Sequence, residues 1–331
     1  YLAVDSKDWI DYYRIHEDSF DEFSVQAVDD KKPNTVLVVA HNGGDTTSLW
    51  EFNVKTKTFG EKIYGRSDVD IGGIFKHSDN WNKIDEIAGL FYTTDKYHRE
   101  FFVADEAAMY KQLESIVPNA YNVSIYSRAK SNNNMVVYNS GPHDPGTYYL
   151  IKDNKFMLIG SKNPEIKPEN LADVKYITYK ARDGKLIRAY ITVPHGEGPF
   201  PTVIMPHGGP FVKEVVGYDE WGQMLANNGY LVIQPQYRGS QGYGMEFYKS
   251  AFEPTGQGGK KMQDDKDDGI KYLIEQGLTD PDRVAMFGWS YGGYAALIAA
   301  SREDQLYQCV IAGAAVADMI MQANYYISDI R

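Results

Sequence analysis

The chain has 331 residues, 43% of them hydrophobic and 24% charged, with a formal net charge of −11. That length has room for two domains with cores of their own. The unbalanced carboxylates, with no basic cluster to offset them, argue against nucleic acid and anionic membrane surfaces as partners, so the expected ligand is a small molecule or a peptide. The longest apolar stretches, Tyr294 to Ala300 and Cys309 to Ala317, are shorter than the ~18 residues a spanning helix requires. Cys309 is the single cysteine, which excludes an intrachain disulfide, and its apolar, strand-like surroundings predict a core position. The sequence opens at Tyr1 with neither an initiator Met nor an apolar leader, so it assigns no compartment; the expectation is that processing or truncation has removed any address.

The first part of the chain repeats one plan. From Asn34, Asp85 and Asn133 onward, a β-rich run, a polar turn, an aromatic-bearing strand, a short turn and a third strand follow one another. Each unit is preceded by a short strand candidate: "FSVQAVDD", "IGGIFKHS" and "YNVSIYSR". A period of about 50 residues with four strands per unit is the pattern of β-propeller blades. Another all-β domain with evenly spaced strands gives a similar pattern. Three units are fewer than the ~4 to 8 blades that close a propeller.

The linker "SKNPEIKPENLADVK", from Ser161, leads into a different grammar. A hairpin turns at Asp183-Gly184, and "PTVIMPHGGP" is a strand running into a glycine-rich turn. Next come a helix ended by Gly229, the strand "YLVIQPQYRG", an amphipathic helix ended by Gly277, a strand and helix around Ser290, and the strand "YQCVIAGAAVAD". This alternation predicts a doubly wound, mostly parallel sheet. The acidic run Asp264, Asp265, Asp267 and Asp268 is expected to be a solvated helix face that complements the helix dipole. The glycines from Gly256 to Gly259 lack the GK[ST] of a phosphate loop and predict a turn.

The chemistry concentrates in "FGWSYGG", where Gly288 and Gly292 flank Ser290 in G-x-S-x-G spacing between a strand and a helix. Small residues are needed there because a nucleophilic serine sits on a strained turn packed between both elements. The competing reading makes Ser290 a helix N-cap beside structural glycines. A tetrahedral oxyanion needs donors: the Tyr291 N–H at the helix start is one, and the His207-Gly208-Gly209 loop supplies another. His207 precedes the serine, out of order for a hydrolase base, so a loop-shaping or oxyanion-side role is expected of it. All seven histidines, at positions 16, 41, 77, 98, 143, 195 and 207, lie upstream of Ser290, and neither Asp318 nor Asp329 has a histidine after it to orient. Neither a metal motif nor a cofactor fingerprint is present; one cysteine, dispersed histidines and no HExxH give no metal spacing.

From about Val174 onward, "PHGGP", "QYRGSQGYG", "KKMQDDKDDGIKYLIEQG" and "DPDRVAMFGWSYGGY" occur in an order and spacing that resemble the catalytic domain of the prolyl oligopeptidase family of serine peptidases, in its acylaminoacyl-peptidase and dipeptidyl-peptidase-like branches. The resemblance implies an α/β-hydrolase over residues 166–331, incomplete at its C-terminal end, preceded by a partial β-propeller over residues 1–165. It further implies Ser290 as the nucleophile, Tyr291 and the His207-Gly208 turn as oxyanion donors, and Met319 and Tyr325 near the substrate pocket. The triad Asp and His are expected downstream of residue 331, with the remainder of the parent chain as the partner that completes the site and short peptides as substrates. By itself the chain is expected to be inactive, and homo-oligomerisation is left open. Two rival readings share the fold: a carboxylesterase, and a non-catalytic scaffold.

Overall fold

The computed structural model describes residues 9–16, 19–29, 31–153, 155–215, 217–252 and 258–329. Alternating apolar and polar residues in the first part become antiparallel sheets. Strands β1 (Phe23–Val28), β2 (Thr35–Ala40), β3 (Ser48–Asn53) and β4 (Thr58–Gly65) form a meander in chain order. Strands β5 (Ile71–Lys76), β6 (Ile87–Thr93) and β7 (Tyr97–Phe101) form a three-stranded sheet. The expected third strand of this repeat is instead replaced after β7 by the helix α1 (Ala104–Ile116). "ADEAAMYKQLESI" is rich in strong helix formers, and Asp105 and Glu106 in its first turn suit the helix dipole. A second four-stranded meander follows, β8 (Ser124–Arg128), β9 (Met135–Gly141), β10 (Asp144–Lys152) and β11 (Lys155–Ser161).

The last sheet has six strands: β12 (Asp173–Lys180), β13 (Leu186–Val193), β14 (Phe200–Ile204), β15 (Leu231–Gln236), β16 (Thr279–Trp289) and β17 (Cys309–Gly313). Their spatial order is β12-β13-β15-β14-β16-β17. β12, β13 and β15 pair antiparallel, whereas β15, β14, β16 and β17 pair parallel. The connections carry helices α2 (Glu220–Asn227), α3 (Met245–Lys249), α4 (Lys261–Glu275) and α5 (Tyr291–Ser301), and α6 (Met319–Asp329) follows β17. The central strands read as near-continuous apolar runs because helices cover both faces of a parallel sheet: Leu231, Val232 and Ile233 of β15 are fully buried.

By contacts the chain divides into two compact units, Tyr1–Met109 with Gly242–Lys249, and Tyr110–Gln241 with Ser250–Arg331. In the first unit the core is Leu37, Val39, Leu49, Ile71 and Leu90. There Asp70 accepts hydrogen bonds from the Thr47 N–H and, across the chain, from the Gly244 N–H.

Two further sequence expectations are overturned. Cys309 is exposed, because among the described residues β17 stands at the end of the strand order and pairs only with β16. The acidic run on α4 is not a solvated face: Asp265 is fully buried, and Asp267 and Asp268 are buried. Each of its carboxylates meets an arginine from a distant segment. Arg238 donates to Asp265 through its backbone N–H, Nε and Nη2, at 2.8, 2.8 and 2.6 Å, and also binds Asp183. Arg182 forks onto Asp268. Arg302 bridges Asp264 and Asp267, and the Tyr307 hydroxyl donates to Asp267. Charges at this depth persist only when paired and hydrogen-bonded.

Candidate active site

β16 delivers Ser290 to the start of α5 through a bend in which the serine has φ 58° and ψ −120°. Positive φ is strained for a residue with a side chain and marks functional bends more often than ordinary turns. Ser290 occupies the N-cap position of α5, yet its side chain makes no capping hydrogen bond. The flanking glycines are required by close approach. A Cβ at Gly288 would collide with the Gly292 carbonyl, one at Gly292 with the Pro206 carbonyl, and one at Gly293 would lie 2.6 Å from the Gly313 oxygen. The Ser290 N–H donates to the Gly313 carbonyl at 3.0 Å, which ties the bend to β17.

The loop after β14 closes over this bend. A Cβ built on Gly208 would sit 3.5 Å from Ser290 Cβ and 3.9 Å from its Oγ, so the Gly208 backbone faces the serine. His207 is buried. Its Nδ1 donates to the Gly208 carbonyl at 2.8 Å, and its Nε2 lies 2.9 Å from Ser240 Oγ. Burial pushes the imidazole down to about 4, assisted by the positive charge of Lys266 and opposed by the bond to Gly208. His207 is therefore neutral near pH 7 with both ring nitrogens engaged away from Ser290, as suits a loop-shaping residue. Tyr237 anchors the same loop: its hydroxyl donates to the His207 carbonyl at 2.7 Å, and its ring stacks on the imidazole at 4.3 Å. Tyr237 and Ser240 both belong to "QYRGS", so the motif was visible in the sequence, while their contact with His207 was not.

A cavity of about 190 Å³ opens between the His207-Gly208 loop and the end of β16, lined among others by Gly208, Glu214, Asp219, Gln234 and Trp289 but not by Ser290 itself. Burial, helped by the charge of Asp219, raises the Glu214 carboxyl to about 7. Met319 and Tyr325 on α6 are both exposed, and neither lines this cavity. The Tyr291 ring is buried against Tyr237 and Met262, and its hydroxyl donates to the Gly258 carbonyl. Asp318 accepts from the Met321 N–H at the start of α6. The glycine turn expected at Gly256 to Gly259 lies partly outside the described residues. Among the described residues no histidine is hydrogen-bonded to Ser290, no cluster of three or more His, Cys, Asp or Glu side chains is placed to hold a metal, and no helix is long and apolar enough to cross a membrane.

A strained serine between a parallel sheet and a helix, faced by a glycine loop, is a site built as hydrolases build theirs. The comparisons name the family it resembles: residues 218–328 match the model of the prolyl oligopeptidase family, Peptidase_S9. The resemblance read from the ordered motifs is thereby borne out. The chain is 26% identical to dipeptidyl peptidase family member 6 of Caenorhabditis elegans, over 93% of this chain and 44% of that protein. It is 28% identical to dipeptidyl aminopeptidase BIII of Pseudoxanthomonas mexicana, over 83% of this chain and 40% of that one. Among solved structures, a puromycin hydrolase aligns with TM-score 0.67 at 18% identity, covering 92% of this chain and 46% of its own. A structure from a study of two prolyl endopeptidases aligns at 0.65 and 16%, covering 91% and 43%. At such identities the structural likeness shows the fold. The chain spans less than half the length of these relatives.

Proposed function

We propose that this chain belongs to a serine peptidase that hydrolyses short peptides through an acyl-enzyme on Ser290. The observation that carries the reading is the bend itself: a serine at φ 58°, with no capping bond, held by three glycines that admit no side chain. That arrangement stores strain and leaves Ser290 half-buried with its hydroxyl uncommitted to a cap, which is what an attacking hydroxyl needs and what an N-cap does not. In the reaction Oγ attacks the scissile carbonyl, and the developing oxyanion is stabilised by the Tyr291 N–H at the head of α5 and by the Gly208 backbone opposite.

The general base and the acid that orients it are proposed to lie in sequence beyond residue 331. No histidine follows Ser290 in this chain, and the relatives are more than twice as long as their matched parts. Residues 166–331 are read as the leading part of an α/β-hydrolase domain and the meanders of residues 1–165 as propeller blades that gate access, which is why short peptides are the proposed substrates. The test is intact mass and peptide mapping of the full-length protein after a fluorophosphonate. A single adduct on Ser290, absent after Ser290→Ala, is expected. No adduct, or one elsewhere, would sink the nucleophile assignment. A simple ester turned over with no activity on the matching aminoacyl amide would move the reading to a carboxylesterase.

A further inference from the structure

Lys266 is fully buried, and the mechanism above makes no use of it. Its Nζ donates to the Met262 carbonyl at 2.7 Å and sits 3.7 Å from the centre of the Tyr237 ring and 5.4 Å from that of Tyr291. Among the described residues no carboxylate lies within ion-pair distance of it. Its flanking acids each bind an arginine, Asp265 with Arg238 and Asp267 with Arg302, so neither takes the amine as its direct partner. A methionine would fill the same space without the desolvation that a buried ammonium entails. What the amine does contact is the pair of rings that connects α4 to the serine. Tyr291 follows Ser290 directly and lies 5.7 Å from Tyr237, and Tyr237 in turn holds His207 by its hydroxyl and by stacking.

We propose that Lys266 is a positioning residue for the oxyanion loop: its amine clamps the Tyr237 ring against His207 and so keeps the Gly208 backbone opposite Ser290. The inference rests on the nucleophile reading above and extends it. The clamp works by attraction between an ammonium and an aromatic face, which is strengthened in a dry site and disappears when the amine is neutral.

Burial lowers the Lys266 amine to about 7; Asp265 and Asp267 act against the fall, Arg302 and Arg238 with it. The clamp is therefore charged below neutrality and releases above it. The other groups facing this path are Tyr237 and Tyr291, both raised by burial above the usual phenol range, and His207, which titrates near 4. Glu214, lining the same cavity as His207, is the second group that changes charge near 7.

The test reads His207 directly. Its imidazole nitrogen shifts are followed by NMR from about pH 6 to 9, a window in which the ring itself does not titrate, in the full-length wild type, Lys266→Met and Glu214→Gln. The expected result is a shift with a midpoint near neutrality, kept in Glu214→Gln and lost in Lys266→Met. In parallel, kcat on an aminoacyl amide should fall about 10-fold in Lys266→Met with KM unchanged, the signature of a donor displaced only for the transition state. A flat His207 signal in the wild type, a response lost in Glu214→Gln, or a response and kcat untouched by Lys266→Met would overturn the clamp. If Lys266→Met does not fold, the wild type and Glu214→Gln still decide. A wild type that never takes the phosphonate defeats the peptidase reading and leaves the His207 signal to judge the clamp by itself.

Discussion

Two neighbouring regions of the second unit are made rigid by opposite means. The bend at Ser290 is held by absence: Gly288, Gly292 and Gly293 let backbone meet backbone at distances no Cβ permits. Helix α4, packed beside it, is held by presence: the buried carboxylates of Asp265, Asp267 and Asp268 and the half-buried one of Asp264 meet three arginines and a tyrosine. The glycines that permit this steric packing lie close together in sequence, even though Gly292 and Gly293 meet backbone from Pro206 and Gly313. Ionic rigidity is relational, and its parts lie up to 86 residues apart, as Arg182 and Asp268 do.

The contrast can be tested from its strongest element down. Gly288→Ala drives a methyl into the Gly292 carbonyl, and neither backbone has room to yield; a loss of more than about 4 kcal/mol, or failure to fold, is expected by denaturant melts. A loss under about 1 kcal/mol would mean that the bend is not sterically locked. Asp265→Ala comes next. It strips three hydrogen bonds from the buried Arg238 and leaves that charge with Asp183 alone, so a loss of about 3–5 kcal/mol is expected.

Lys266→Met should act in the opposite direction and more weakly. Because the folded amine titrates near 7, below its ordinary 10.5, the unfolded chain binds a proton between those values that the folded chain does not. Wild-type stability therefore rises with pH across that window, and the cost of burying the charge is fully felt below 7. The methionine variant should be more stable than wild type by about 1–4 kcal/mol at pH 6, with the gap closing toward pH 10. A gap independent of pH would place the titration elsewhere. A gain in stability together with a fall in kcat is the trade expected when a site keeps a costly group for its function.

The same contrast explains what the sequence made legible. Glycines at 288 and 292 announce close backbone approach because only glycine tolerates it, so the bend was legible; at Gly208 a Cβ would make only ordinary contact with Ser290, and that loop was legible from its motif alone. The parallel strands were legible from apolar runs such as Leu231 to Ile233. The burial of α4 was not, since four aspartates in five residues look solvated until Arg182, Arg238 and Arg302 are brought to them by the fold. Helix α1 was read as a strand because the repeat rhythm outweighed its own helix-forming residues. Met319 and Tyr325 were carried over from the family resemblance, and their exposed places on α6 follow from no local signal. Cys309 shows that an apolar run does not by itself report how many sides of a strand are covered.

The bond from the Ser290 N–H to the Gly313 carbonyl has a bearing on biosynthesis. β17 is made after the serine motif and must register beside β16 before that acceptor exists, and Gly293 can approach β17 only then. The geometry at Ser290 is thus a property of the assembled sheet and not of the pentapeptide "GWSYG". A chain in which β17 has not yet registered beside β16 carries Ser290 without the acceptor that ties down its bend.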